Sequence, residues 1–153
     1  MKSIKIGEWD IEYDKQATEK IYAAIKPYAC DCISCQNYRK ATENIPSEIR
    51  NLFDAFGIDF YKAAEIYDCS AKQDDKLIYG GWYHFIGRIV GEKDGKENGM
   101  LIGWYEITKD FKITFTKDSA LIDENFPKDN ICQMEIVFNL PWVFEDKQYF
   151  NEL

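Results

Sequence analysis

The chain has 153 residues, 46% of them hydrophobic and 16% aromatic, with 27 acidic against 19 basic side chains and a formal net charge of −8. That length suits one domain over residues 1–153, and the apolar content excludes a disordered chain. The excess of carboxylates, with no Lys/Arg stripe to offset it, argues against a nucleic-acid partner and against an anionic membrane surface; it leaves a protein partner as the expected one.

In chain order, Ile4 and Ile6 alternate, Gly7-Glu8 can turn, and Trp9, Ile11 and Tyr13 alternate again, which predicts a hairpin over residues 3–13. Asp14 is a good N-cap for a helix from Lys15 to Lys26, with Ala17, Ile21, Ala24 and Tyr28 as its core-facing stripe and Pro27 as its stop. The segment Gln36–Lys40 could begin a short helix. A further helix is expected from Pro46 to Phe56, where Ile49, Leu52, Phe53 and Phe56 share a face and Gly57 can cap the end.

From residue 63 onward the pattern is β. Ala64, Ile66 and Tyr67 suggest a strand before a polar turn at Ser70–Lys76. Leu77–Val90 is apolar on both faces, as a central strand is, with a bend at Gly80-Gly81. Met100–Thr108 and Phe111–Thr116 read as strands joined at Lys109-Asp110, the second with one dry face (Phe111, Ile113, Phe115) and one wet. Ile131–Leu140 sets Cys132, Met134, Ile136, Phe138 and Leu140 on one face and Gln133, Glu135 and Asn139 on the other, and Pro141 ends it. The sum is an α+β fold: a twisted, mostly antiparallel sheet of six or seven strands with two main helices packed on one face.

The densest chemistry is Cys30-Asp31-Cys32-Ile33-Ser34-Cys35. Five cysteines cannot all pair internally. The first residues lack the apolar run of a signal peptide, and no apolar stretch is long enough to span a bilayer, so the expected setting is a reducing cytoplasm. There, clustered thiols bind metal, do redox work, or are small buried packing groups.

A closed zinc site takes four tetrahedral ligands. Cys30, Cys32 and Cys35 supply three; Cys69 or His84, the only histidine, is the candidate fourth, whereas the phase of Cys132 puts it on a dry face. The redox alternative uses Cys32 and Cys35 as a C-x-x-C pair whose thiol is acidified by a helix N-terminus, although no βαβ pattern flanks it. His84 could be a general base, but no Ser/His/Asp set surrounds it, and a lone histidine on so aromatic a strand is more often a hydrogen-bonded core residue. The acidic runs lack calcium-loop spacing, and the glycines of the long strand are not a phosphate cradle. Gly81-Trp82-Tyr83 and Gly103-Trp104-Tyr105 could pack in the core or line an aromatic recognition face.

The segments Cys30–Tyr38 (Cys-x-Cys-x-x-Cys-x-Asn-Tyr), Phe56-Gly57-Ile58-Asp59 and Gly81-Trp82-Tyr83-His84-Phe85-Ile86-Gly87 resemble small, functionally uncharacterised bacterial proteins. The resemblance spans residues 28–90. It implies a bacterial, cytosolic origin and carries no activity with it. Small acidic α+β proteins also include immunity proteins that neutralise basic toxins. Three functions are therefore expected, in order: a non-enzymatic binding protein with a structural thiolate zinc site, a cysteine-based redox or metal-dependent enzyme, and an immunity-type protein.

Overall fold

The computed structural model describes all 153 residues. Its spine is β4 (Lys76–Ile89), 14 residues whose apolar run left no wet face to read. Along one side β4 pairs antiparallel with β9 (Ile131–Leu140) over its length, from Leu77 opposite Leu140 to Ile86 opposite Ile131. β8 (Phe111–Thr116) and β7 (Tyr105–Thr108) follow outward. Along the other side β4 is shared in sequence by two partners. β3 (Glu65–Gln73) takes its first half, and β2 (Trp9–Tyr13), hairpinned to β1 (Lys2–Ile6), takes its last three residues. The result is a seven-stranded antiparallel sheet, with a two-residue ladder of β5 (Lys96–Glu97) and β6 (Met100–Leu101) apart from it. This is the α+β fold the sequence led us to expect. No helix is long and apolar enough to cross a membrane.

Between β3 and β2 the edge of β4 would leave backbone groups bare, and α1 (Lys15–Ala24) fills that gap with side chains. The Tyr22 hydroxyl donates to the His84 carbonyl at 2.7 Å, Thr18 Oγ1 accepts from the Ile86 N–H at 3.0 Å, and the Asp14 N–H donates to the Ile86 carbonyl at 2.8 Å. The buried residues of α1 are therefore Thr18 and Tyr22, one position along from the apolar stripe of Ala17 and Ile21, which is only partly buried. A pattern drawn from apolar residues alone misses them, because their hydroxyls, not their hydrocarbon, make them core residues. Thr18→Val should cost about 1–3 kcal/mol by orphaning the buried Ile86 N–H, whereas Thr18→Ser, which keeps the acceptor, should cost less; urea unfolding of the two variants checks this.

α2 (Ile33–Ala41) and α3 (Ser47–Phe56) cover the face of the sheet formed by Leu77, Tyr79, Tyr83 and Phe85 of β4 with the facing residues of β8 and β9. Phe53 meets Tyr83 with ring centroids 4.8 Å apart, and Phe56 meets Phe85 at 4.7 Å. On α2, Tyr38 packs edge-on against Tyr79 at 5.1 Å. Asn37, fully buried, holds the Pro141 carbonyl and the Val143 N–H and so ties the C-terminal segment, with its short α4 (Gln148–Asn151), to α2.

Three local expectations change. The turn after β3 is Asp74-Asp75, both with positive φ as a two-residue hairpin turn requires, so β3 continues through Ser70 with a register shift between Asp68 and Lys72. The strand expected over Met100–Thr108 breaks at Gly103, whose φ is 72° and whose carbonyl accepts the Trp9 indole N–H at 2.9 Å; a Cβ there would lie 2.8 Å from the Trp9 ring. The wet face of the sheet is in large part sealed. Thr114, Thr116, Gln133, Glu135 and His84 are all buried on it. Residues 117–126 fold over that face, where the Ala120 carbonyl accepts from Trp82 Nε1 and Phe126 lies 5.8 Å from the His84 ring.

Candidate metal centre

Pro27 follows the end of α1, and residues 26–31 run without regular structure to the start of α2. This brings Cys30 and the N-cap residue Cys32 beside Cys35 in the first turn of the helix. The three sulfurs all lie within 4.8 Å of one another, close enough to bind a metal ion. The Cys30 thiol donates to Cys32 Sγ across 3.3 Å. Their environments differ: Cys32 is exposed, Cys30 half-buried and Cys35 buried.

Position along the helix end sets the acidity of each thiol. The Ser34 hydroxyl, followed by the Cys35 backbone N–H and the Cys30 and Cys35 thiols, stabilises the Cys32 thiolate, and its pKa falls to about 7 despite an opposing contribution from burial. The Cys35 N–H is one of the unpaired donors of a helix N-terminus; the largest contribution is the Ser34 side chain. Burial, and then the neighbouring thiols, push the Cys35 thiol well above its usual value. Iodoacetamide labelling read by mass spectrometry should therefore find Cys32 reactive with a rate that titrates near pH 7, and Cys35 unreactive across the same range.

No carboxylate joins the three sulfurs, and Asp31, Glu65 and Asp68 each already have a partner. Asp31 pairs with Arg39 Nη2 at 3.0 Å, and Arg39 Nη1 also donates to the Cys30 carbonyl. Glu65 accepts from the Tyr28 hydroxyl and Asp68 from the Tyr149 hydroxyl. Both phenols are raised above their ordinary values, chiefly by burial and then by these carboxylates, with smaller contributions from Cys35 and Cys30 at Tyr28 and from Cys32 at Tyr149. The donor set is thus three sulfurs alone.

Neither residue expected as the fourth ligand joins them. Cys69 sits exposed in the register shift of β3. His84 lies on the opposite face of β4 from Tyr79, whose hydroxyl donates to the Ser34 carbonyl at 2.6 Å; the period-two alternation of the strand turns its ring away from α2. Cys132, on β9 opposite Phe85 of β4, is buried, and its thiol is raised by burial.

His84 is instead the end of a buried polar chain that motif reading did not find. Its Nε2 meets Gln133 Oε1 at 2.9 Å, and Gln133 Nε2 donates to Glu135 Oε1 at 2.8 Å. A hydrogen-bonded core histidine is what the aromatic strand around His84 led us to expect; its partners were hidden because Gln133 and Glu135 fall on the face opposite the apolar set of β9. Burial lowers the His84 pKa from 6.5, partly opposed by the hydrogen bond to Gln133. A depressed folded pKa means that His84 contributes stability above its unfolded value of 6.5 and loses it as pH falls through the lower folded value. Unfolding free energies measured over a pH series should show a weaker dependence in this window for His84→Gln.

No known protein family, curated protein or solved structure matches the chain. The fold and the site thus define an α+β protein with a three-cysteine centre at a helix N-terminus, and function has to be argued from that geometry.

Proposed function

We propose that this is a non-enzymatic interaction protein with one thiolate-held zinc ion, carried by Cys30, Cys32 and Cys35. The observation behind this reading is the mutual approach of the three sulfurs to within 4.8 Å. A Zn–S bond of about 2.3 Å sets tetrahedral sulfurs about 3.8 Å apart, so closing on an ion asks each sulfur pair to adjust by no more than about 1 Å. Soft thiolates suit zinc, and Cys32 is already partly ionised at neutral pH.

Bound there, the ion would pin the irregular segment before α2 to the helix. Three protein ligands leave a fourth position, on the solvent side where Cys32 is exposed, for water or a side chain of a protein partner. The test is metal analysis of protein purified without chelator, followed by cobalt substitution. One equivalent per chain and a thiolate-to-cobalt charge-transfer band support the reading. No bound metal, with Cys30 and Cys32 freely titratable, sinks it.

A redox reading is favoured by one different contact, the 3.3 Å approach of Cys30 and Cys32. The pair would be these two, not Cys32 and Cys35. The Cys32 thiolate would attack a low-molecular-weight disulfide, forming a mixed disulfide and releasing one thiolate; Cys30, giving up its proton, would then displace the second thiol and close the Cys30–Cys32 bond. Peptide mapping after treatment with oxidised glutathione distinguishes the two: zinc-loaded protein that stays reduced supports the metal reading, and a Cys30–Cys32 disulfide formed in its presence supports the redox one.

A further inference from the structure

We propose that the cavity over His84 is a second binding site, separate from the cysteines, that takes a small neutral aromatic molecule with one O–H or N–H donor and holds that donor against His84 Nδ1. The geometry begins at Gln133. Its side-chain amide lies between a group that can only donate and one that accepts: the Ala120 backbone N–H donates to Oε1 at 2.9 Å, and Nε2 donates to Glu135 Oε1 at 2.8 Å. Those two contacts fix which end of the amide is oxygen. The atom facing His84 Nε2 at 2.9 Å is therefore an acceptor, and Nε2 must carry the proton. In a neutral imidazole this leaves the lone pair on Nδ1.

Nδ1 has no hydrogen-bond partner within the protein, yet it is not sealed. The sealed side-chain polar atoms without a partner are Tyr38 Oη, Glu135 Oε2 and Asn139 Oδ1. His84 instead lines a cavity of about 280 Å³ between the end of α1, the 62–64 segment and the 121–126 segment. An apolar cavity of about 150 Å³ already holds benzene, so the space suits one substituted ring.

The walls select the ligand. Ile25, Pro27, Leu121 and Phe126 present hydrocarbon and an aromatic face. At the rim Lys26 and Lys62 stand against Asp123, and Lys62 Nζ already donates to the Tyr22 carbonyl at 2.7 Å. Lys62 also pairs with Asp59 at 4.0 Å, so the two lysines face two carboxylates, which disfavours an ion and suits a neutral molecule. One directional acceptor beside a hydrocarbon and aromatic wall, with charged groups around it, is a layout that small-molecule pockets use. Glu135 and Gln133 are positioning residues: they set the imidazole tautomer without reaching the cavity.

His84 is the only histidine, so a protein labelled with ¹⁵N-histidine gives a single imidazole pair to follow. The free protein should show the Nε2-protonated tautomer. Phenol should then move the Nδ1 resonance saturably, while anisole, the same ring without a donor, should bind about tenfold more weakly and leave Nδ1 in place. An Nδ1-protonated tautomer, equal responses to phenol and anisole, or an Nδ1 resonance that phenol does not shift would each overturn the proposal. None of these readings depends on a metal at the cysteines.

Discussion

Cys35→Ser is expected to lower zinc affinity by at least about 100-fold. Removing even an outer-shell partner of a metal ligand commonly costs 10–100-fold, and here one of three donors is lost outright. The choice of Cys35 makes the experiment more informative than loss of binding alone. Its thiol is held well above the usual range by burial and by the two neighbouring thiols, so at neutral pH it is fully protonated and must release a proton when a metal binds. Cys32, near 7, is already partly ionised and releases less. Calorimetry in buffers of different ionisation enthalpy should therefore find about one proton fewer per ion for Cys35→Ser than for the native chain. For the same reason, native affinity should climb with pH through and above neutrality. Cys69→Ser, an exposed thiol outside the cluster, should change neither quantity, and a loss there equal to that of Cys35→Ser would mean that the cluster is not the site.

Phe53→Ala should be among the most destabilising single truncations on the helical layer, at about 3–5 kcal/mol. Phe53 is 1% exposed and sits where α3 meets both the loop after it and the sheet, with ring contacts to Phe60, Tyr83 and Phe111. A domain of this size is stable by only about 5–15 kcal/mol, so the variant would lose a large part of its margin. At about 2–4 °C per kcal/mol, the thermal midpoint should fall by roughly 6–20 °C. Leu52, its neighbour on the helix, is only partly buried, and Leu52→Ala should cost visibly less. Equal losses at the two positions would mean that α3 is not seated on the sheet through Phe53. Calorimetric scans of both variants decide this.

The two sites differ in how they could be reached from sequence. The cysteines are local: three thiols within six residues, next to a helix start, meet because the chain has no room to separate them. Their unequal acidity follows from the burial of Cys35, which the fold decides, and from the Ser34 hydroxyl that favours the Cys32 thiolate, which was in plain view two positions away. The extent of α2 was not, because its buried face includes the polar residues Ser34 and Asn37, which a search for apolar periodicity discards. The absence of a fourth ligand is hidden in the sequence for a related reason. Sequence distance says nothing about which face of a strand looks toward α2, and His84 falls on the wrong one.

Patterning alone determined the α+β class, the N-terminal hairpin, the helix from Ser47 to Phe56, the inward set Cys132, Met134, Ile136, Phe138 and Leu140, and the cluster of three thiols. These are short-range facts, in which the hydrophobic period and the turn residues point to one backbone conformation. Only the tertiary structure decided that Thr18 and Tyr22 close the edge of β4, that the polar face of the sheet is roofed by residues 117–126, and that a buried chain runs from His84 through Gln133 to Glu135. Each depends on a polar group finding its partner far along the chain. A hydroxyl or an amide is read as solvent-facing until the group that satisfies it is known, and that group is supplied by the fold.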